Sequence, residues 1–104
     1  MPLPMTMTAA HVLISFTARP EAATTFQALM AQVRHDLPAV PGCRSVRVFT
    51  QHDDPCKVTL LETWASVAAH QAHIAQVVSS GAWDALAAHL SEAPESRYLN
   101  EMAD

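Results

Sequence analysis

The chain has 104 residues, 50% hydrophobic, 15% charged and 6% aromatic, a composition that predicts one compact domain rather than two domains or a disordered chain. Ten acidic residues against six Lys and Arg give a formal charge of -4 with no basic cluster, which excludes nucleic acid as a partner because phosphate neutralisation dominates that affinity. No apolar run approaches the roughly 18–20 residues that cross a bilayer, and the N-terminal stretch lacks a basic start followed by an apolar core, so no membrane partner and a cytoplasmic location are expected.

Met1–Thr8 carries three methionines and two prolines and reads, with Ala9 and Ala10, as a loose leader over residues 1–10. A single domain over 11–102 and a tail at 103–104 follow. In His11–Thr17, Val12, Ile14 and Phe16 alternate with Leu13, Ser15 and Thr17, which predicts a strand with one strongly apolar face. Pro20 suits a helix start, and Phe26, Leu29, Met30, Val33 and Leu37 recur at helical spacing until Pro38 and Pro41-Gly42. Ser45–Thr50 predicts a second strand, and the polar turn Gln51–Pro55 folds it back onto a third, Cys56–Trp64. Ser66 caps a helix over Val67–Val78, Ser79-Ser80-Gly81 breaks it, and Trp83–Leu90 forms another helical piece. Arg97–Met102 alternates weakly and predicts a last strand.

The order β-α-β-β-α-β is the split βαβ pattern of an α+β, ferredoxin-like domain: a four-stranded antiparallel sheet with helices on one face. The other face must meet water or another chain. It carries Leu13, Ser15, Thr17, Thr59, Leu61 and Thr63, a semi-apolar set that predicts a homodimer joined through the sheets. Cys43 and Cys56 fall at opposite ends of the strand pair, too far apart for a disulfide.

On the third strand Glu62 is in register with Val58, Leu60 and Trp64, so its carboxylate points toward the helices, where burial raises a carboxyl pKa. His70 and His73 lie at i and i+3 on the second helix and share a side. His70 falls in the stripe of Val67, Ile74 and Val77, and His73 on its flank beside Ala69. His11, His35, His52 and His89 read as ordinary strand, helix-surface and turn residues. One Glu and two His at this spacing are a weak metal signal, since helical zinc pairs prefer i, i+4, and no metal is expected. Two glycines are too few for a phosphate-binding loop.

The element order, the Pro41-Gly42-Cys43 turn, the Glu62-Thr63-Trp64 strand end and His73 nine residues after that Trp resemble the antibiotic biosynthesis monooxygenase family over about His11 to Met102. The resemblance implies a ferredoxin-like dimer that oxygenates polycyclic phenols or quinols with O2 and without metal, flavin or haem. Some relatives instead degrade haem. His73 matches the family's helix-two histidine, whereas His70 falls where relatives have an apolar residue. The Pro-His dipeptide common in the family is replaced here by Ser79-Ser80-Gly81-Ala82-Trp83. On this reading His73 takes the phenolic proton and Glu62 orients it. Phe26, Trp64, Trp83 and His70 contact a small aromatic substrate between helices and sheet. Non-catalytic binding of a small apolar ligand, or haem binding, is the alternative.

Overall fold

The computed structural model describes residues 8–102. The chain runs β1 (Ala10–Thr17), α1 (Ala23–Asp36), β2 (Cys43–Gln51), β3 (Asp54–Trp64), α2 (Val67–Ser79), α3 (Ala82–Ala87) and β4 (Glu95–Leu99), with short 3-10 turns at Pro20–Ala22 and Leu37–Ala39 flanking α1. The strands form one antiparallel sheet in the order β2-β3-β1-β4. The expected α+β architecture is therefore present. β1 begins at Ala10, which is buried, one residue before its expected start. The expected leader otherwise lies almost wholly outside the described residues, as does the expected tail at 103–104. The last strand is shifted: it spans Glu95–Leu99 rather than Arg97–Met102. All five of its residues are exposed, so no buried face left an alternation from which to set its bounds.

Period-2 alternation builds the core. Val12, Ile14 and Phe16 of β1 and Val58, Leu60 and Trp64 of β3 are buried on the helix side, where they meet Phe26 and Met30 of α1. Trp64, Phe26 and Met30 are fully buried, and each contributes about 1.5–3 kcal/mol relative to exposure. The opposite face carries Leu13, Thr59, Leu61 and Thr63, joined by Arg47 and Phe49 of β2 and Leu99 of β4. Phe49 is 43% exposed there, beneath the Arg47 guanidinium 5.0 Å from its ring centre.

Two local features place α2. The Ser66 hydroxyl accepts the Ala69 backbone N–H at 3.1 Å, an N-cap that starts the helix where expected. Gly42, in the turn before β2, has φ +89°, and a Cβ built on it would stand 2.7 Å from the Ala69 Cβ. The turn therefore touches the first turn of α2 through backbone alone, and only glycine allows that approach. Its carbonyl also accepts the Ala65 N–H at 2.7 Å, which holds the end of β3 to the same turn. Cys43 and Cys56 are both free thiols, as expected from their separation.

Candidate active site

β3 delivers Glu62 and Trp64 to the helix side of the sheet, two residues apart on one face. Glu62 is only 3% exposed, and the Trp64 indole N–H donates to its Oε1 at 2.8 Å. That hydrogen bond satisfies the indole and favours the carboxylate, yet burial is the larger effect and pushes the Glu62 carboxyl above its ordinary range. From α2, His70 and His73 approach the same indole. His73 stacks on it with ring centres 5.1 Å apart and planes at 30°, while His70 meets it edge-on at 5.5 Å. Burial lowers the pKa of both imidazoles, and for His70 the nearby His73 lowers it further. Both rings are therefore in the free-base form at neutral pH.

His70 is the more buried of the two. Its Nδ1 lies 2.7 Å from the Tyr98 hydroxyl of β4, and its Nε2 is buried without a hydrogen-bond partner, 4.0 Å from Glu62 Oε1. A cavity of about 480 Å³ opens between the sheet, α1, α2 and α3, and Glu62 and His73 line it together with Trp83 and His89. The rest of its wall is mainly aliphatic, including Ile14, Leu29, Val33, Leu60, Ile74, Val77 and Leu86. Its size falls in the range of small-molecule sites, roughly 300–1,000 Å³. A second depression of about 600 Å³ lies at Thr17, Phe49, Lys57 and Glu92 and holds none of the expected site residues.

The structure brings Glu62, His73 and Trp83 to one cavity. Three other expected contacts stand elsewhere. Trp64 and Phe26 are fully buried and do not line the cavity: Trp64 lies beneath the two imidazoles, and Phe26 packs edge-on against Phe16 at 5.4 Å. His70 sits behind Glu62 rather than at the cavity surface. The expected contact of Glu62 with His73 is also not made; the carboxylate binds Trp64 and faces His70. Glu62 is thus linked to His73 through the Trp64 indole, which donates to the carboxylate and stacks on the imidazole. His89, read from the sequence as a surface residue, lines the cavity because α3 ends at Ala87 and the following turn carries its ring inward. Its capping of α3 carbonyls was the missed signal. Among the described residues no group of three or more His, Cys, Asp or Glu is placed to hold a metal ion, and no helix is long and apolar enough to cross a membrane.

Four antiparallel strands in this order, with helices on one face and an apolar cavity between the layers, define a ferredoxin-like α+β protein. The model of the antibiotic biosynthesis monooxygenase family matches residues 9–77, and the chain belongs to that family. A search of curated proteins finds no match. Solved structures share the fold at low identity. A protein described as antibiotic biosynthesis monooxygenase superposes with a TM-score of 0.80 at 19% identity, over 90% of this chain and 99% of its own. Rv0793 from Mycobacterium tuberculosis gives 0.80 at 21%, over 93% and 98%. A mutant of SnoaB, a cofactor-independent oxygenase from Streptomyces nogalater, gives 0.77 at 17%, over 92% and 95%.

Proposed function

We propose that this protein is a cofactor-independent monooxygenase that oxidises a phenolic or quinol-type aromatic substrate with O2. The observation that carries this reading is His73, an imidazole kept as the free base by burial, sharing one apolar cavity with the buried Glu62. Family membership and the likeness of fold to a cofactor-independent oxygenase support it.

In this mechanism His73 takes the proton of a substrate hydroxyl. The resulting electron-rich anion gives one electron to O2, and the superoxide and the aromatic radical combine at a ring carbon. A proton returned to the distal oxygen makes the hydroperoxide. Loss of water from it, with the ring C–H proton, leaves a new carbonyl. For a hydroquinone the balance is quinol plus O2 to hydroxyquinone plus water, one oxygen atom entering the ring and the other leaving as water. A positioned base supplies about 10²–10⁴-fold. The aliphatic wall shields the radical and peroxide stages from bulk water. Glu62 is a positioning residue: it holds the Trp64 indole that supports the His73 ring.

The test is oxygen consumption by metal-stripped protein with a panel of hydroquinones and fused-ring phenols. Turnover that His73→Ala abolishes supports the proposal; binding without oxygen uptake favours the non-catalytic reading. The open sheet face, with Phe49 at 43% and Leu99 at 38% exposure, is proposed to pair with the same face of a second copy.

A further inference from the structure

The cavity has polar groups at two ends and an apolar belt between them. Glu62 and His73 form one end. Glu62 pairs across the sheet with Val12. His89 forms the other: its carbonyl accepts the Arg19 N–H at 2.8 Å, and the next residue, Leu90, bridges to Ala18. Ala18 lies six residues beyond Val12, about 20 Å along an extended backbone, and the side chains that reach in from both ends shorten the span a ligand must bridge. Ile14, Phe16 and Leu60 line the interval.

The tautomer of His89 is fixed by its neighbours. Its Nδ1 lies 3.1 Å from the Ala85 carbonyl oxygen and 3.2 Å from that of Leu86. Carbonyl oxygens only accept, so Nδ1 carries a proton and Nε2 is the ring nitrogen left free to meet a ligand. Charge around the cavity has one sign. Among the described residues that line it there is no Lys or Arg, and its carboxylates are Glu62 and Asp36. Hydrogen bonds from His35 and Gln32 hold the Asp36 carboxyl below its usual range, so it is ionised at neutral pH.

We propose that His89 is a second ligand anchor, whose Nε2 accepts a hydrogen bond from a hydroxyl at the far end of an elongated, uncharged, fused-ring aromatic, and that the cavity rejects carboxylated analogues. The near end of that ligand reaches His73 and Glu62, so the inference rests on the proposed substrate class and narrows it. A ligand that lacks the far hydroxyl forgoes the hydrogen bond to Nε2, a modest loss because the half-exposed nitrogen can turn to water instead. A carboxylate entering this cavity at the His89 end meets no Lys or Arg among the described lining residues and loses its hydration against an aliphatic wall.

Three ligands of nearly one shape test the inference on the full chain, with tryptophan fluorescence or calorimetry as the readout: a naphthalenediol with hydroxyls at opposite ends, the naphthol that lacks one of them, and the hydroxynaphthoate that replaces it with a carboxylate. The diol is expected to bind about 5–10-fold more tightly than the naphthol, the worth of one hydrogen bond. His89→Phe, which keeps a ring of similar bulk, removes that difference, and the carboxylate binds at least about tenfold more weakly than the diol. No measurable diol binding, equal affinity of diol and naphthol, a diol advantage that survives His89→Phe, or tight binding of the carboxylate overturns the inference. Loss of stability in His89→Phe with selectivity intact assigns His89 to helix capping alone and overturns it too. Oxygen uptake is recorded in parallel. A diol bound through His89 without uptake refutes the oxygenase reading and leaves this one standing, whereas uptake with no dependence on His89 does the reverse.

Discussion

Replacing Gly42 by alanine puts two separable penalties on the contact that seats α2. The first is conformational: φ +89° is left-handed backbone, which costs an alanine about 1–2 kcal/mol. The second is steric. The new Cβ stands 2.7 Å from the Ala69 Cβ, about 0.8–1.3 Å inside an ordinary carbon–carbon contact of about 3.5–4.0 Å, and neither methyl can rotate away. Either the turn or the first turn of α2 must shift, with an overpacking cost of about 1–3 kcal/mol, so the expected total is about 2–5 kcal/mol. Gly81 is an internal control, because it has nearly the same φ, +85°, with nothing within 4 Å of its Cβ position. Gly81→Ala should lose only the conformational part, about 1–2 kcal/mol. Urea denaturation of both variants reads the difference directly. Because α2 carries His70 and His73, Gly42→Ala should also weaken ligand binding, and Gly81→Ala should not. Equal destabilisation by the two variants, or an undisturbed cavity in Gly42→Ala, would refute the claim that this backbone contact sets the position of the site.

The pH dependence of stability has two limbs of opposite origin. Because His70 and His73 hold folded-state pKa values below the ordinary 6.5, the unfolded chain binds protons first as pH falls, and stability is lost from about pH 6.5 downward until the folded values are reached. Glu62, raised above the ordinary 4.5, loses stability as pH rises from 4.5 to its folded value, so Glu62→Gln should flatten that limb in denaturation curves across pH and leave neutral-pH stability unchanged or higher. Tyr98→Phe removes the hydroxyl partner of His70 Nδ1 and should cost about 1 kcal/mol in urea melts, with a change in the nitrogen NMR shifts of that ring. On the proposed sheet-to-sheet pairing the parent chain sediments as a dimer and Leu61→Asp, in the centre of the open sheet face, as a monomer at the same concentration; equal masses would remove the pairing.

Alternation and breakers made the architecture legible. Val12, Ile14 and Phe16 against Val58, Leu60 and Trp64 identify one buried face on each of two strands, and these strands are neighbours in the sheet. The same alternation marks Glu62 as an inward carboxylate, which it is, at 3% exposure. What periodicity does not carry is depth. It assigns Trp64 and Phe26 to the helix side, but whether a ring there borders the cavity or lies beneath it depends on how α2 and α3 sit above the sheet. The i, i+3 spacing likewise places His70 and His73 on one side without saying which meets Glu62. That depends on how α2 is seated, and its seating contact, Gly42 with Ala69, joins residues 27 positions apart. Helical spacing runs on to Leu90 and puts His89 on the surface, whereas α3 stops at Ala87 and the turn after it brings that residue to the cavity. The last strand lies two to three residues before its expected bounds, because an edge strand with every residue exposed has no hydrophobic signature.

The most direct test of the oxygenase reading is turnover of a fused-ring hydroquinone under isotopically labelled O2, with mass analysis of the product and the His73→Ala variant alongside. The reading requires one labelled oxygen atom in the quinone, the other in water, and a rate that falls by about 10²–10⁴ without His73. A product free of label, or full turnover in His73→Ala, would contradict it.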